Sequence, residues 1–156
     1  MSSPNVCFTF EAALEMAVTM EESGFRHYLA ALRSCRQPAT RMILKDAALD
    51  ELEHKYQLEK ALVEGTIDHQ QFDHPVPTMD LDYLLAQKTL SPDADAREAL
   101  AYAIHLEKIS LDFYLSMASG CAGAPMAAIF TRMANDEARH LRSLEDDYEA
   151  HFLTEN

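Results

Sequence analysis

The chain carries the stretch DELEH at residues 50–54 and a close copy, DEARH, at residues 136–140. In each copy a Glu precedes a His by three residues, so on a helix both side chains project from one face, about one turn apart. Because apolar residues around each stretch recur at steps of three and four, the two copies predict two helices with the same chemistry. The chain therefore contains a duplicated unit.

The duplication extends well beyond these two short stretches. A shift of 86 residues, without a gap, aligns residues 13–29 with 99–115 and residues 43–59 with 129–145. The identical pairs on this register include Glu21 with Glu107, Tyr28 with Tyr114, Asp50 with Asp136, Glu51 with Glu137, His54 with His140, and Glu59 with Glu145. Two copies of one helical hairpin, packed face to face about a pseudo-twofold axis, explain the pattern.

Helical periodicity predicts four long helices, over about residues 9–34, 38–64, 91–118 and 125–148. The first two are joined by a short connection, whereas residues 65–77 lack helical period and form part of a long crossover. This order predicts an all-α, ferritin-like four-helix bundle with a long crossover between its second and third helices. We expect residues 1–156 to form a single ferritin-like domain that contains the internal repeat.

Helix boundaries are predicted from capping residues and breakers. The second helix has Pro38 in its first turn and ends at Gly65. The other predicted starts are Thr78 as the cap of a short helix in the crossover, Ser91 with Pro92 for the third long helix, and Pro125 for the fourth. The stretch LEDDYEA, at residues 144–150, is predicted to be a solvated helix end.

Composition and charge exclude several functions. With 13 basic against 26 acidic residues, the net charge of −13 would repel a phosphate backbone, so we expect no nucleic acid partner. Cys7, Cys35 and Cys121 form no CxxC pair and predict reduced thiols. Neither an export leader nor an apolar run of membrane-spanning length is visible, so we expect a cytoplasmic protein without membrane contact.

Four glutamates and two histidines recur in pairs on predicted buried helix faces: Glu21, Glu51, His54, Glu107, Glu137 and His140. An ionised carboxylate in an apolar interior is very costly unless it is paired or bound to a cation. No Arg or Lys recurs at the same spacing to neutralise the set. Metal ions therefore explain it better than salt bridges do, and the same donor set holds the metals of di-iron and di-manganese carboxylate bundles. We predict two metal ions per chain.

Four stretches, MEESGFRHYLAAL, LDELEHKYQLEKAL, LEKISLDFYLSMA and NDEARHLRSLED, are similar to those of a known family. Through them the chain resembles the rubrerythrin branch of the ferritin-like di-iron proteins over nearly all of its length. The resemblance implies that Glu51 and Glu137 bridge two iron ions. It also implies that Glu21 and Glu107 each bind one iron at the outside and that the two histidines supply one nitrogen apiece. Manganese or zinc can substitute for iron at such ligands.

Further side chains near the six ligands are predicted to support them. Asp50 and Asp136 can accept a proton from the free ring nitrogen of a ligand histidine, with solvent exposure as the alternative. Tyr28 and Tyr114 stand two turns beyond Glu21 and Glu107 and can reach a ligand carboxylate of another helix, with an ordinary core role as the alternative.

The chain departs from the rubrerythrin pattern at two places. Residues 1–156 contain no rubredoxin domain with paired CxxC motifs, so we expect electrons to come from a separate donor such as a rubredoxin. Rubrerythrins also resemble one another in an extra Glu three residues beyond the ligand of the third helix, and Ser110 stands at this position here.

The resemblance implies a di-iron oxidoreductase that reduces hydrogen peroxide, or dioxygen. One alternative is a ferroxidase or iron-handling protein, and another is a metal-stabilised module without turnover. The resemblance and the apolar stripes of the first and third helices also predict a homodimer.

Overall fold

The computed structural model describes residues 9–67, 75–124 and 126–153. Their secondary structure is helical: α1 spans Phe10–Ser34, α2 Pro38–Glu64, α3 Leu81–Leu85, α4 Ala96–Gly120 and α5 Ala127–Tyr148. A π-helical turn, Glu149–Leu153, continues α5. Along the described ranges, no helix combines the length and the apolarity that crossing a lipid bilayer requires.

The four long helices form two hairpins, as the repeat predicts. Helix α1 packs mainly on α2, and α4 mainly on α5. The two hairpins contact each other through α2 with α4 and through α1 with α5. The repeat relates α1 to α4 and α2 to α5, so these two contacts are equivalent. The prediction of an all-α, ferritin-like bundle is confirmed, with α3 inside the crossover between α2 and α4.

The core consists of small and branched apolar residues from all four long helices, with alanines on the inner faces where the backbones approach closely. Two cysteines, Cys35 and Cys121, are buried as free thiols. Cys7 lies outside the described residues. Burial of the apolar side chains supplies the main stabilising free energy of such a bundle, and it positions each inward-facing polar side chain.

The predicted boundaries agree with the structure for α1 and α2 and at the end of α5, whereas the start of α4 differs. Pro38 occupies the first turn of α2, and Gly65 ends it with φ of 76°. The prediction that Ser91 and Pro92 start the third long helix is wrong. Residues 91–94 form a turn in which the Ala94 amide bonds to the Ser91 carbonyl at 3.0 Å, and α4 begins after Asp95.

The actual start of α4 has a physical reason. The Asp95 carboxylate accepts a hydrogen bond from the Glu98 amide at 2.8 Å, while the Glu98 side chain accepts one from the Asp95 amide at 3.4 Å. This reciprocal capping box satisfies two amide groups at once, which a single serine cap cannot do. The predicted start at Pro125 lies outside the described residues, and α5 begins at Ala127.

The crossover is attached to the bundle by buried polar contacts. Thr78 does not cap α3, so that prediction is wrong. The Glu145 carboxylate of α5 instead accepts hydrogen bonds from the Met79 amide at 2.8 Å and the Leu81 amide at 3.0 Å. Asp82 of α3 also lies 2.9 Å from Nδ1 of His105 on α4. These contacts fix the described part of the crossover, residues 75–95, against α4 and α5.

Candidate metal centre

Each long helix contributes one buried glutamate to the middle of the bundle. The side chains of Glu21, Glu51, Glu107 and Glu137 are at most 3% exposed. They occupy positions on the apolar face of their helices, so the burial of that face carries each carboxylate inward. The structure therefore brings together the four glutamates that the repeat singles out.

One histidine lies directly against two of these carboxylates. Nδ1 of His54 is 3.4 Å from Oε2 of Glu21 and 3.5 Å from Oε1 of Glu137. Both distances exceed the usual 2.7–3.2 Å of an N–H···O hydrogen bond. One donor atom from each of these three side chains lies within 4.8 Å of the other two, close enough to hold one metal ion. The group draws on α1, α2 and α5.

Several buried atoms of the cluster have no hydrogen-bond partner within the described ranges. These atoms are Glu21 Oε2, Glu107 Oε2, both carboxylate oxygens of Glu137, and Nδ1 of His54. Burying such atoms without a partner costs about 1–3 kcal/mol each, and more when the group is charged. Oxygen and imidazole nitrogen donors that face one another, unpaired, are the arrangement that a bound cation satisfies. The residues therefore fit a metal centre.

Proximity of the carboxylates changes their acidity in the metal-free chain. Burial, followed by the neighbouring charges of Glu21 and Glu107, raises the pKa of Glu51 far above its usual range. Burial and the charges of Glu107 and Glu21 raise the pKa of Glu137 in the same way. Burial also opposes ionisation of Glu21, but its contacts with Glu51 and His54 outweigh burial and lower its pKa to about 2. Without a cation the cluster thus keeps protons on some of its carboxyl groups.

The two histidines stack beside the cluster, and their pKa values shift in opposite directions. The ring centroids of His54 and His140 lie 4.5 Å apart, with the planes tilted by 31°. Burial lowers the pKa of His54, but contact with Glu21 outweighs it, so the net shift is upward. Burial and the nearby charge of His54 lower the pKa of His140. In the metal-free chain, contact with Glu21 therefore favours the protonated form of His54, and burial disfavours that of His140.

Two buried tyrosines hold two of the glutamates. The Tyr28 hydroxyl donates to Glu107 Oε1 at 3.3 Å, and the Tyr114 hydroxyl donates to Glu21 Oε1 at 3.1 Å. Each crosses to the other hairpin, as the repeat requires. Burial first, and then the charge of the glutamate that it contacts, raises the pKa of each tyrosine, so both hydroxyls remain protonated donors.

The two aspartates that precede Glu51 and Glu137 have different surroundings. Asp136 accepts a hydrogen bond from Nη2 of Arg139 at 2.6 Å. Asp50 as a residue is exposed on α2, but its carboxyl group is partly desolvated, which raises its pKa. The orientation of a ligand histidine by either aspartate stays a prediction.

Sequence reasoning missed two residues that shape the site. Gly24 of α1 lies against Glu51: a Cβ built on Gly24 would be 3.0 Å from both Cδ and Oε2 of that carboxylate. The signal was available, because Gly24 follows Glu21 by one turn and the equivalent residue, 86 positions later, is the small and buried Ser110. Glu145, predicted to be solvated, is fully buried as the acceptor for the crossover amides.

Comparison with known proteins agrees with this geometry. The family model for rubrerythrin matches residues 98–156, which include Glu107, Glu137 and His140. No curated protein matches the chain, and no solved structure matches it either. The family match covers the second hairpin, and the 86-residue repeat places the corresponding residues on the first. Over residues 98–156 the chain is thus similar to rubrerythrin, and the described residues adopt the all-α, ferritin-like fold.

Proposed function

We propose that the chain is a di-iron oxidoreductase that reduces hydrogen peroxide, or dioxygen, with electrons from a separate donor. The observation that carries the proposal is the cluster of four buried glutamates and two histidines with unpaired donor atoms. We assign Glu21, Glu51, His54, Glu107, Glu137 and His140 as its ligands. When bound there, two iron ions supply the two electrons and the open coordination positions that reduction of one peroxide to two waters requires.

The residues of the chain prepare this site in three ways. The carboxylates balance the positive charge of the metals in a dry interior, where that charge would otherwise be costly. The two tyrosine hydroxyls fix the rotamers of Glu21 and Glu107 from the opposite hairpin. The histidines lie at the less buried edge of the cluster, with 15% of the His54 side chain exposed, and this edge offers a route for a small oxidant.

The proposal includes partners and location. We propose a rubredoxin-type protein as the electron donor, a homodimer as the assembly, and the cytoplasm as the site of action. The free thiols of the buried Cys35 and Cys121 are compatible with the cytoplasm. A peroxide-reducing role would connect the protein to oxidative stress.

The decisive experiment combines metal analysis with an anaerobic titration. The iron-loaded chain, reduced and freed of excess reductant, should contain two irons per chain and be fully oxidised by one equivalent of hydrogen peroxide. The variant Glu137→Gln should lose iron. Glu59→Gln changes an exposed glutamate on α2 of the other hairpin and should behave as the parent.

Three results would contradict the proposal. Bound iron that peroxide does not oxidise would indicate a metal-stabilised module without turnover. A cage-sized assembly that oxidises and accumulates many irons per chain would indicate iron storage. Failure of a reductase and rubredoxin to sustain NAD(P)H-linked peroxide turnover would remove the proposed donor while leaving the metal chemistry intact.

A further inference from the structure

A second feature lies beside the metal cluster and is not explained by it. A cavity of about 360 Å³ opens between α2 and α5, on the side of the two histidines. Its polar wall includes His54 and Gln57 from α2 and Arg132, Asp136, Arg139 and His140 from α5. Leu58, Ile67 and Met133 supply an apolar part. The volume is within the range of sites that hold small organic ligands.

Arg132 supplies the main reason to expect a ligand in this cavity. Its Nη1 atom is buried and has no hydrogen-bond partner among residues 9–67, 75–124 and 126–153. A buried guanidinium nitrogen without an acceptor is energetically costly, because its hydrogen bonds to water are lost and no protein hydrogen bond replaces them. The side chain lines the cavity, so an acceptor placed there would satisfy this atom.

The charge of the wall points to the class of acceptor. Nη2 of Arg139 donates to Oδ1 of Asp136 at 2.6 Å, so the one carboxylate among the described residues of this wall already has a cationic partner. Among these described residues two guanidinium groups stand against one carboxylate, so positive charge predominates here although the chain as a whole carries −13. A locally cationic cavity in an acidic protein favours an anion.

We propose that this cavity binds a small oxyanion, with Arg132 as its principal partner. An anion with two or more oxygens can accept a pair of parallel hydrogen bonds from one guanidinium, which a neutral peroxide cannot match. A short-chain carboxylate and inorganic phosphate share this chemistry. The apolar residues of the cavity would contact the carbon chain of a carboxylate. Binding requires neither metal oxidation nor turnover, so this proposal stands apart from the proposed function.

The test is calorimetric titration of the full-length, metal-loaded protein with sodium butyrate and, separately, with sodium phosphate, at low ionic strength. The parent should bind at least one of these anions saturably, with one site per chain. Arg132→Gln should weaken binding about tenfold or more, since it removes a charge-assisted hydrogen bond. Arg132→Lys, which keeps the charge but loses the paired donors, should weaken it by a smaller factor.

Arg142→Gln is the matched control. It removes the same charge from the same helix, but Arg142 pairs with Asp146 at 3.0 Å and its side chain is 37% exposed. The parent affinity should survive this substitution. Circular dichroism and metal content would establish that each variant is folded and loaded, and the lysine variant provides the comparison if the glutamine variant does not fold.

The proposal fails if the parent binds neither anion saturably. It also fails if Arg132→Gln keeps the parent affinity, which would place the anion on the metals or elsewhere, or if Arg142→Gln loses as much, which would indicate general charge attraction. Tighter binding of butyrate would identify an organic carboxylate as the ligand, and tighter binding of phosphate would identify the inorganic anion. Either order supports the proposed oxyanion site.

Discussion

Replacement of Gly24 by Ala would test whether Glu51 must hold one position to bind metal. The new Cβ would lie 3.0 Å from Cδ and Oε2 of Glu51 and 3.3 Å from Oε1. Contacts of 3.0 Å are tighter than side chains normally make, so the carboxylate would have to move by a few tenths of an ångström. Glu51 is the end of a flexible side chain, and in the metal-free protein this shift is inexpensive.

The metal-loaded protein should respond differently. Metal–ligand distances vary by only about 0.2 Å, so a shift of a few tenths of an ångström is enough to disturb coordination. We therefore expect Gly24→Ala to weaken metal binding about 10- to 100-fold, the effect of disturbing the support of a ligand. By contrast, the metal-free variant should be as stable as the parent or more so, since Ala is favoured over Gly inside a helix by about 1 kcal/mol.

The assay measures both quantities on the same variants. Denaturant unfolding of the metal-free chains gives the free energy of unfolding, and competition with a chelator gives the metal affinity. Gly120→Ala is the control, because Gly120 also lies in a helix and a Cβ built on it has no atom within 4 Å. Parent-like metal affinity in Gly24→Ala would refute the reasoning, as would a metal-free variant destabilised by several kcal/mol.

Three further predictions concern acidity, the tyrosines and the crossover. Burial raises the pKa of Glu51 and Glu137 above the ordinary 4.5, so the folded metal-free chain holds protons that the unfolded chain releases. Its free energy of unfolding should therefore fall as the pH rises from about 5 to about 8, and urea titrations should show a much smaller fall in the metal-loaded chain. Tyr114→Phe removes the donor to Glu21 and should cost about 1 kcal/mol in the same titrations; an unchanged value would mean that the hydroxyl contributes nothing. Glu145→Gln leaves one crossover amide without an acceptor and should cost about 1–3 kcal/mol, with faster hydrogen exchange at the Leu81 amide, whereas Glu59→Gln should change stability by less than about 0.5 kcal/mol.

The architecture could be predicted because it follows from periodicity that no local contact overrides. Steps of three and four placed the long helices, and the repeat placed Glu21, Glu51, Glu107 and Glu137 on faces that must be buried. The boundaries were less predictable, because competing caps lie within a few residues of one another. Asp95 and Glu98 form the stronger capping signal for the start of α4. The predicted start depends on the weaker signal of Ser91, four residues earlier.

The surroundings of the site depend on contacts between distant segments, which periodicity does not report. Asp136 pairs with Arg139 three residues later, and this ion pair competes with any contact to a ligand histidine. The repeat aligns Asp136 with Asp50, so the sequence pattern alone does not show that their surroundings differ. The stretch at residues 144–150 reads as polar, yet the crossover folds over it and supplies the amides that bury Glu145. The repeat gives Arg132 no basic counterpart in the other half, and its position at the cavity follows only from how the two hairpins bring α2 and α5 to opposite sides of that space.

The different environments of Glu59 and Glu145 record how a duplicated gene becomes asymmetric. The two residues occupy the same position in the two hairpins, but Glu59 remains at the surface and Glu145 is enclosed beneath the crossover. A chain of two hairpins has a single connection between them, so an ancestral surface glutamate could be recruited to anchor that connection in one copy alone. Once recruited, Glu145 would be under purifying selection, whereas the residue at position 59 would be free to change. Among relatives, position 145 should therefore retain glutamate and position 59 should vary.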